Sequence, residues 1–126
     1  MKLLIDTHLL LWAAAGQLPR RALPYFTNLE NTLYFSSASI WEVMIKTSLN
    51  RRDFRIDPAL LYQGLVDNGY KELNITSNHV LHMANLPHIH KDPFDRILIA
   101  QALAEGLTLL SSDRTLSRYP SVVLVG

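Results

Sequence analysis

The fold is decided near the amino end of the chain, by the stretch Leu3-Leu4-Ile5-Asp6-Thr7-His8-Leu9-Leu10-Leu11-Trp12. A short aliphatic run is typical of a buried strand, and the residues after it have helical periodicity until Gly16 ends them. Asp6 lies at the junction. The stretch therefore predicts a strand followed directly by a helix, with a carboxylate between the two.

Short apolar runs and longer helical stretches alternate along the rest of the chain. The predicted strands are residues 3–5, 33–35, 72–75, 107–110 and 122–125. The predicted helices are 7–15, 20–29, one that begins among the serines at 36–39 and ends near Asn50, one from Asp57-Pro58 to Asn68-Gly69, 77–85 and 94–105, with a helical turn at 113–118. Because parallel strands need long crossovers, the alternation predicts one α/β domain over residues 1–126, a three-layer α/β/α sandwich around a mostly parallel sheet.

The composition excludes several classes of protein. A net charge of +1 gives no general basic field for coating DNA, and 18% charged residues argue against disorder. The absence of cysteine excludes a disulfide framework, a zinc finger and a thiol nucleophile. Asp6 and His8 interrupt the apolar start and exclude a signal peptide, and no stretch approaches the roughly 18 apolar residues of a membrane span. We expect a soluble, cytoplasmic protein without a membrane partner.

Four acids fall at equivalent places in the alternation. Asp6 and Asp113 follow predicted strands, and Glu42 and Asp95 lie in the first turns of predicted helices. In a parallel sheet the carboxyl ends of the strands and the amino ends of the helices share one edge, which is where open α/β folds bind ligands. We therefore expect the four carboxylates to meet there.

Each acid taken alone also has a structural interpretation. Asp6 and Asp113 could cap the helical segments that follow them. Glu42 could close a capping box with Ser39 or pair with Lys46 one turn later, and Asp95 could suit the helix dipole.

Taken together, the acids need something to offset their repulsion. Carboxylates about 5 Å apart repel by roughly 3 kcal/mol per pair at an effective dielectric near 20. Protonation, arginines or one or two divalent cations could supply the offset, and an all-oxygen site suits Mg²⁺ or Mn²⁺ rather than zinc. Such an edge favours cleavage of a phosphodiester, because Mg²⁺ held by carboxylates usually completes its shell with water and phosphate oxygens.

Four stretches carry a resemblance to a known family. They are residues 4–12 (LIDTHLLLW), 36–46 (SSASIWEVMIK), 90–102 (HKDPFDRILIAQA) and 109–113 (LLSSD). In content, order and approximate spacing they resemble a PIN domain of the VapC toxin type, and the resemblance covers nearly the whole chain.

The resemblance implies an endoribonuclease of a prokaryotic toxin–antitoxin pair, dependent on Mg²⁺ or Mn²⁺. Matched residue by residue, the catalytic and metal-binding acids of the family fall on Asp6, Glu42, Asp95 and Asp113. Three supporting positions are Thr7, Ser111 where threonine is commoner, and Asp92, for which a helix cap and a share in the site both remain open. In the expected mechanism Asp6 and Asp95 chiefly hold the cation, which polarises the phosphate and lowers the pKa of a water; Glu42 and Asp113 complete the shell. Cleavage would leave a 3′-hydroxyl and a 5′-phosphate.

The resemblance also implies partners. VapC-like proteins pair as homodimers, and the carboxyl-terminal segment of a VapB-like antitoxin docks in a groove of the early helices and blocks the acidic site. The apolar residues around Trp12 and Trp41 exceed what a thin helical layer ordinarily buries, which is compatible with such partners.

Basic residues and histidines have less specific interpretations. The predicted contacts to single-stranded RNA are Lys46, Arg51, Arg52 and Arg96, although solvated charges are an equally open explanation for each. Histidines 79, 82, 88 and 90 have poor preorganisation for zinc; His90 is expected to hold its loop against the site or to be an ordinary surface residue.

The sequence bears on three alternative functions. A dehalogenase-type phosphatase needs a second aspartate two residues after the first, where this chain has His8, and a receiver-type regulator needs paired acids that the chain lacks. A non-catalytic PIN-like module that binds RNA or a partner remains the alternative to an enzyme, and retention of all four acids argues against it.

Overall fold

A five-stranded parallel sheet in the order β3-β2-β1-β4-β5 forms the centre of the protein. The computed structural model describes residues 1–49 and 56–125. The strands are β1 (Lys2–Ile5), β2 (Thr32–Ser36), β3 (Lys71–Leu73), β4 (Thr108–Ser111) and β5 (Val122–Leu124). The helices are α1 (Thr7–Ala14), α2 (Leu23–Thr27), α3 (Ser37–Ser48), α4 (Pro58–Asp67), α5 (Ser77–Ala84) and α6 (Pro93–Glu105), followed by a 3₁₀ helix (Arg114–Arg118). The predicted α/β/α sandwich is confirmed, and every strand pairing among the described residues is parallel.

Both faces of the sheet are buried. Leu4 and Leu109 pack with α6 on one face, whereas Leu3, Ile5 and Leu110 pack with α1 on the other. Successive strand residues point to opposite faces, so a strand covered on both sides has no polar alternation. This explains why β1 and β4 appear in the sequence as short continuous apolar runs.

Helix ends agree with the caps expected from the sequence, but the bounds of one helix and of the third strand differ clearly from those predicted. Asp6, Asp57 and Asp92 cap α1, α4 and α6, and Gly106 ends α6 in the left-handed conformation with φ 68°. The predicted helix 20–29 is wrong in extent, because α2 begins only at Leu23. Pro24 has no N–H to donate, so it is tolerated in the first turn of a helix and not further inside. The third strand is Lys71–Leu73, earlier than the predicted 72–75.

The parallel arrangement brings the carboxyl ends of the strands to one edge. Ile5, Ser36 and Ser111 are the last residues of β1, β2 and β4, which are neighbours in the sheet. The segments that follow these residues therefore leave the sheet side by side. None of the helices in the described part of the chain is long and apolar enough to cross a membrane.

Candidate acidic site

Asp6 is buried where β1 ends and α1 begins. Its Oδ1 accepts a hydrogen bond from the N–H of Leu9 at 2.9 Å, and its Oδ2 accepts one from the hydroxyl of Ser111 at 2.5 Å. Burial raises the pKa of Asp6 above its ordinary value, although these two hydrogen bonds act in the opposite direction. The structural interpretation of Asp6 as a helix cap is thus correct, and its second oxygen faces the end of β4.

Ser111 joins Asp6 to Asp113. Its Oγ, which donates to Asp6, also accepts the N–H of Asp113 at 3.0 Å. Asp113 caps the 3₁₀ helix by accepting from the N–H of Thr115 at 2.9 Å and from its hydroxyl at 2.7 Å. Burial alone would raise the pKa of Asp113, but the hydrogen bonds from Thr115 hold it below its ordinary value.

Asp95 lies in the first turn of α6, partly buried among other charged groups. The pKa of Asp95 is raised to about 6, chiefly by burial and also by the negative charges of Asp92 and Glu42, while a hydrogen bond with His90 acts to lower it. The two charge effects require both acids to be close to Asp95. The carboxyl group of Asp95 is therefore subject to negative charges from both α3 and the start of α6.

Glu42 projects from α3 and is only 6% exposed. Its Oε2 pairs with Nζ of Lys46 at 3.1 Å, which confirms the expected pair one helical turn apart. The alternative capping box with Ser39 is wrong, because α3 begins at Ser37 with Ser36 as its cap. Within the described ranges, Oε1 of Glu42 is buried and has no hydrogen-bond partner. A buried carboxylate oxygen without a partner is costly unless a further group binds it.

The side chain of His90 lies beside two of these acids, Asp95 and Asp113. Its Nε2 lies 2.7 Å from Oδ2 of Asp95 and 3.8 Å from Oδ2 of Asp113. The three residues offer ligand atoms within 4.8 Å of one another. From the sequence, His90 is expected either to hold its loop against the site or to lie at the surface, and not to be a ligand. An irregular loop has no periodicity that indicates the direction of a side chain.

The supporting positions have distinct environments. The hydroxyl of Thr7 is buried and donates to Oγ of Ser39 at 2.9 Å, which joins α1 to α3. Oδ1 of Asp92 caps α6 by accepting the N–H of Phe94 at 2.8 Å and that of Asp95 at 3.4 Å. The cap interpretation of Asp92 is correct, and its charge also acts on Asp95.

Among the predicted RNA contacts, Arg96 is engaged within the fold. Its guanidinium donates to the carbonyl oxygens of Met83, Pro87 and His90. These bonds explain Arg96 as a residue that holds the loop before α6, and its contact with RNA stays a prediction. Arg51 and Arg52 lie outside the described residues.

The other histidines have partners of their own or lie at the surface. His79 is buried at the start of α5, with Nδ1 accepting the N–H of Thr76 at 3.0 Å and Nε2 lying 2.8 Å from Oε1 of Glu105. Nδ1 of His82 lies 3.0 Å from the carbonyl oxygen of Asn78, and His88 is exposed. His79 therefore links α5 to α6.

The donor set fits a divalent cation of the Mg²⁺ or Mn²⁺ type. Carboxylate oxygens predominate. Oε1 of Glu42 is buried without a hydrogen-bond partner, and burial raises the pKa values of Asp6 and Asp95, so the fold stabilises the negative charge of these carboxylates poorly. A hard cation compensates it directly. Of the four predicted acids, Asp95 and Asp113 belong with His90 to the group whose ligand atoms lie within 4.8 Å of one another, and among the described residues Asp6 and Glu42 are not part of that group.

Comparison with known families agrees with this architecture. The sequence model of the PIN domain family matches residues 3–122. The chain is a PIN domain. The family resemblance inferred from the four stretches is thus confirmed at the level of the PIN domain. No curated protein sequence matches the chain.

Several solved structures share the fold of this PIN domain. A chain from VapBC2 of Rickettsia felis, crystallised with a DNA fragment from its promoter, has a TM-score of 0.70 at 18% identity, over 99% of this chain and 98% of that one. A chain from DNA-bound VapBC of Salmonella typhimurium has a TM-score of 0.69 at 15% identity, over 99% and 97%. A chain from VapBC-5 of Mycobacterium tuberculosis, a member of a family of toxin–antitoxin systems, has a TM-score of 0.66 at 13% identity, over 98% and 97%.

Proposed function

We propose that this PIN domain is a metal-dependent endoribonuclease and the toxin of a toxin–antitoxin pair. The observation that carries the proposal is the continuous set of hydrogen bonds and ion pairs that joins three of its acids: Asp6 to Ser111, Ser111 to Asp113, Asp113 to His90, and His90 to Asp95. The negative charge of Glu42 also acts on Asp95. The sequence motifs and the fold shared with VapBC chains support the same function.

Mg²⁺ or Mn²⁺ is the expected cofactor, held by Asp6, Asp95, Glu42 and Asp113. When bound, the cation supplies Lewis-acid polarisation of the scissile phosphate and activation of a water. The residues have different parts in this chemistry. Asp6 and Asp95 must lose their protons before they can serve as ligands, and Ser111 holds the Asp6 carboxylate at the end of β4.

The reaction is hydrolysis of a phosphodiester. A bond forms between the water oxygen and phosphorus, and the bond from phosphorus to the 3′ oxygen breaks. The leaving 3′ oxygen takes a proton, which gives a 3′-hydroxyl and a 5′-phosphate. No side-chain nucleophile is required. Lys46 and the basic residues Arg51, Arg52 and Arg96 are the proposed contacts to the RNA backbone.

A VapB-like antitoxin and a second copy of the chain are the proposed protein partners. A groove of about 500 Å³, lined by residues of α1 and α4 together with Leu18 and Phe26, offers a surface for an antitoxin segment. Trp41 and Met44 lie about one helical turn apart on α3 and are 54% and 45% exposed, so together they offer an apolar surface for a dimer contact. We propose that these encounters take place in the cytoplasm.

Cleavage of RNA by the purified chain tests the enzymatic proposal. Full-length protein is incubated with a mixed RNA pool in Mn²⁺, in Mg²⁺ or in excess chelator, and product ends are mapped. Cleavage that needs the metal, leaves 5′-phosphates and is lost in Asp95→Asn is expected, with Asp67→Asn as a control at an exposed position of α4. RNA binding without metal-dependent cleavage would instead support the non-catalytic module.

A further inference from the structure

The side chain of His90 occupies a position between two proposed ligands. Nε2 is 2.7 Å from Oδ2 of Asp95 and 3.8 Å from Oδ2 of Asp113, and the imidazole is 22% exposed. A surface histidine of a loop ordinarily points into water. The His90 ring instead lies beside the carboxylates of Asp95 and Asp113, which are proposed ligands of the cation.

The backbone of His90 is fixed on both sides by groups outside the acidic cluster. The hydroxyl of Tyr119 accepts the N–H of His90 at 2.9 Å and that of Ile89 at 3.2 Å, and it donates to the carbonyl oxygen of Pro87 at 2.9 Å. Arg96 donates to the carbonyl oxygens of Pro87 at 3.0 Å and His90 at 3.3 Å. Tyr119 is itself buried.

This arrangement preorganises the backbone from which the ring projects. A ligand group fixed by surrounding hydrogen bonds loses little freedom when an ion binds, which is how supporting residues raise metal affinity. Tyr119 comes from the end of the 3₁₀ helix and Arg96 from α6, so the two elements that carry Asp113 and Asp95 also hold the loop of His90.

The imidazole of His90 beside the carboxylates of Asp95 and Asp113 affects which cation the site prefers. Imidazole nitrogen is a good ligand for transition-metal ions, whereas Mg²⁺ prefers oxygen. An acidic site with one imidazole donor therefore binds Mn²⁺ and other transition-metal ions better, relative to Mg²⁺, than the same site with oxygens alone.

We propose that Nε2 of His90 binds the same ion as Asp95 and Asp113 and makes the site selective for Mn²⁺ over Mg²⁺. The proposal rests on the proposed function in that it requires a divalent cation at the acidic edge. It adds a nitrogen ligand to the four acids and a preference between the two cations.

Pulsed electron paramagnetic resonance of Mn²⁺ bound to the full-length protein tests the ligand directly. A nitrogen atom bonded to Mn²⁺ modulates the spin echo through its nuclear spin, and this readout does not depend on cleavage. We expect the ¹⁴N modulation in the wild type, its loss in His90→Ala, and its retention in His8→Ala and His88→Ala. His8 is an informative control, because it is exposed and close enough to act electrostatically on Asp6 and Asp113.

Calorimetric titration with Mn²⁺ and with Mg²⁺ tests the selectivity. In His90→Ala the affinity for Mn²⁺ should fall about tenfold or more, as for loss of a group that supports a metal site, whereas affinity for Mg²⁺ should change by less than about threefold. Equal losses for both ions would overturn the selectivity.

The outcomes separate this inference from the proposed function. Wild-type protein that cleaves RNA with Mn²⁺ but has no ¹⁴N modulation would overturn the role of His90 alone. Modulation that disappears in His8→Ala instead of His90→Ala would do the same. Protein that has the His90-dependent modulation without cleaving RNA would support the ligand and contradict the nuclease.

Discussion

The hydroxyl of Ser111 donates a hydrogen bond of 2.5 Å to Oδ2 of Asp6, across a sequence separation of 105 residues. The same oxygen accepts the N–H of Asp113. One hydroxyl at the end of β4 thus binds the acid that follows β1 and the backbone of the acid that follows β4. This hydroxyl lets two acids that are far apart in the sequence act at one edge of the sheet.

Replacement Ser111→Ala should weaken both folding and metal binding. It leaves the buried Asp6 carboxylate and the N–H of Asp113 without this partner, a loss that typically costs about 1–3 kcal/mol in the free energy of unfolding. Affinity for Mn²⁺ should fall about tenfold, because Asp6 is no longer oriented. Denaturant unfolding and calorimetry measure the two effects.

Two control variants, Ser111→Thr and the neighbouring Ser112→Ala, should behave like the wild type. A Ser111→Ala protein with unchanged affinity for Mn²⁺ would contradict the role of the hydroxyl.

The raised pKa of Asp95 predicts how metal binding depends on pH. With a pKa of about 6 in the metal-free fold, Asp95 is mostly protonated below that pH and cannot act as a ligand. Affinity for Mn²⁺ and the cleavage rate at low metal concentration should both rise as the pH increases through about 6. Titrations at several pH values between about 5 and 8 measure this. An affinity for Mn²⁺ that does not change over that pH range would show that protonation of Asp95 does not control metal binding.

The same shift has a consequence for the stability of the metal-free protein. The pKa of Asp95 rises from 3.8 in the ordinary carboxyl to about 6 in the fold, so the folded state holds the proton more tightly. This contribution to stability is fully present below pH 3.8 and is lost as the pH rises through 6. Asp95→Asn should abolish cleavage and, at pH 7.5, stabilise the metal-free protein by about 1–2 kcal/mol. Thermal unfolding at pH 5 and 7.5 measures the difference, and Glu30→Gln, at an exposed loop position, should show no such gain.

Removal of the Tyr119 hydroxyl should release the loop that carries His90. Tyr119→Phe keeps the buried ring but removes the acceptor of two N–H groups and the donor to Pro87. We expect a loss of about 1–3 kcal/mol in the free energy of unfolding and faster hydrogen exchange at residues 89 and 90. Tyr62→Phe is a matched control, because that hydroxyl lies at the surface with a contact of 3.5 Å to Glu72. Unaltered exchange in Tyr119→Phe would contradict this role.

Basic residues after α3 are predicted to contact the phosphates of RNA. Each phosphate contact contributes about −0.7 to the slope of log affinity against log salt concentration for a single strand. The double variant R51E/R52E should therefore reduce that slope by about 1.4 and weaken RNA binding in low salt. The double variant K2E/K71E is the control, since Lys2 and Lys71 begin their strands at the opposite edge of the sheet. Equal effects of the two pairs would indicate a response to net charge alone.

Elements whose ends depend on interactions between residues close in the sequence could be predicted from the sequence. The caps Asp6, Asp57 and Asp92 act on N–H groups two or three residues away, so a short window of sequence contains the whole interaction. The third strand was misplaced for the opposite reason. Residues 71–73 are largely polar and pair with β2, and only that neighbour decides where the strand begins.

By itself the sequence determined the alternation of strands and helices and the position of Asp6, Asp95 and Asp113 at strand and helix ends, because the periodicity of apolar residues and the chemistry of caps act over a few residues. Glu42 lies inside α3. Tertiary structure decided the order of the strands, the hydroxyl bridge from Ser111 to Asp6, and the engagement of Arg96 with the loop before α6. It also decided that His90 faces Asp95 and Asp113. These are contacts in which side-chain direction depends on how separate segments pack, and that direction is not encoded in the spacing of residues along the chain.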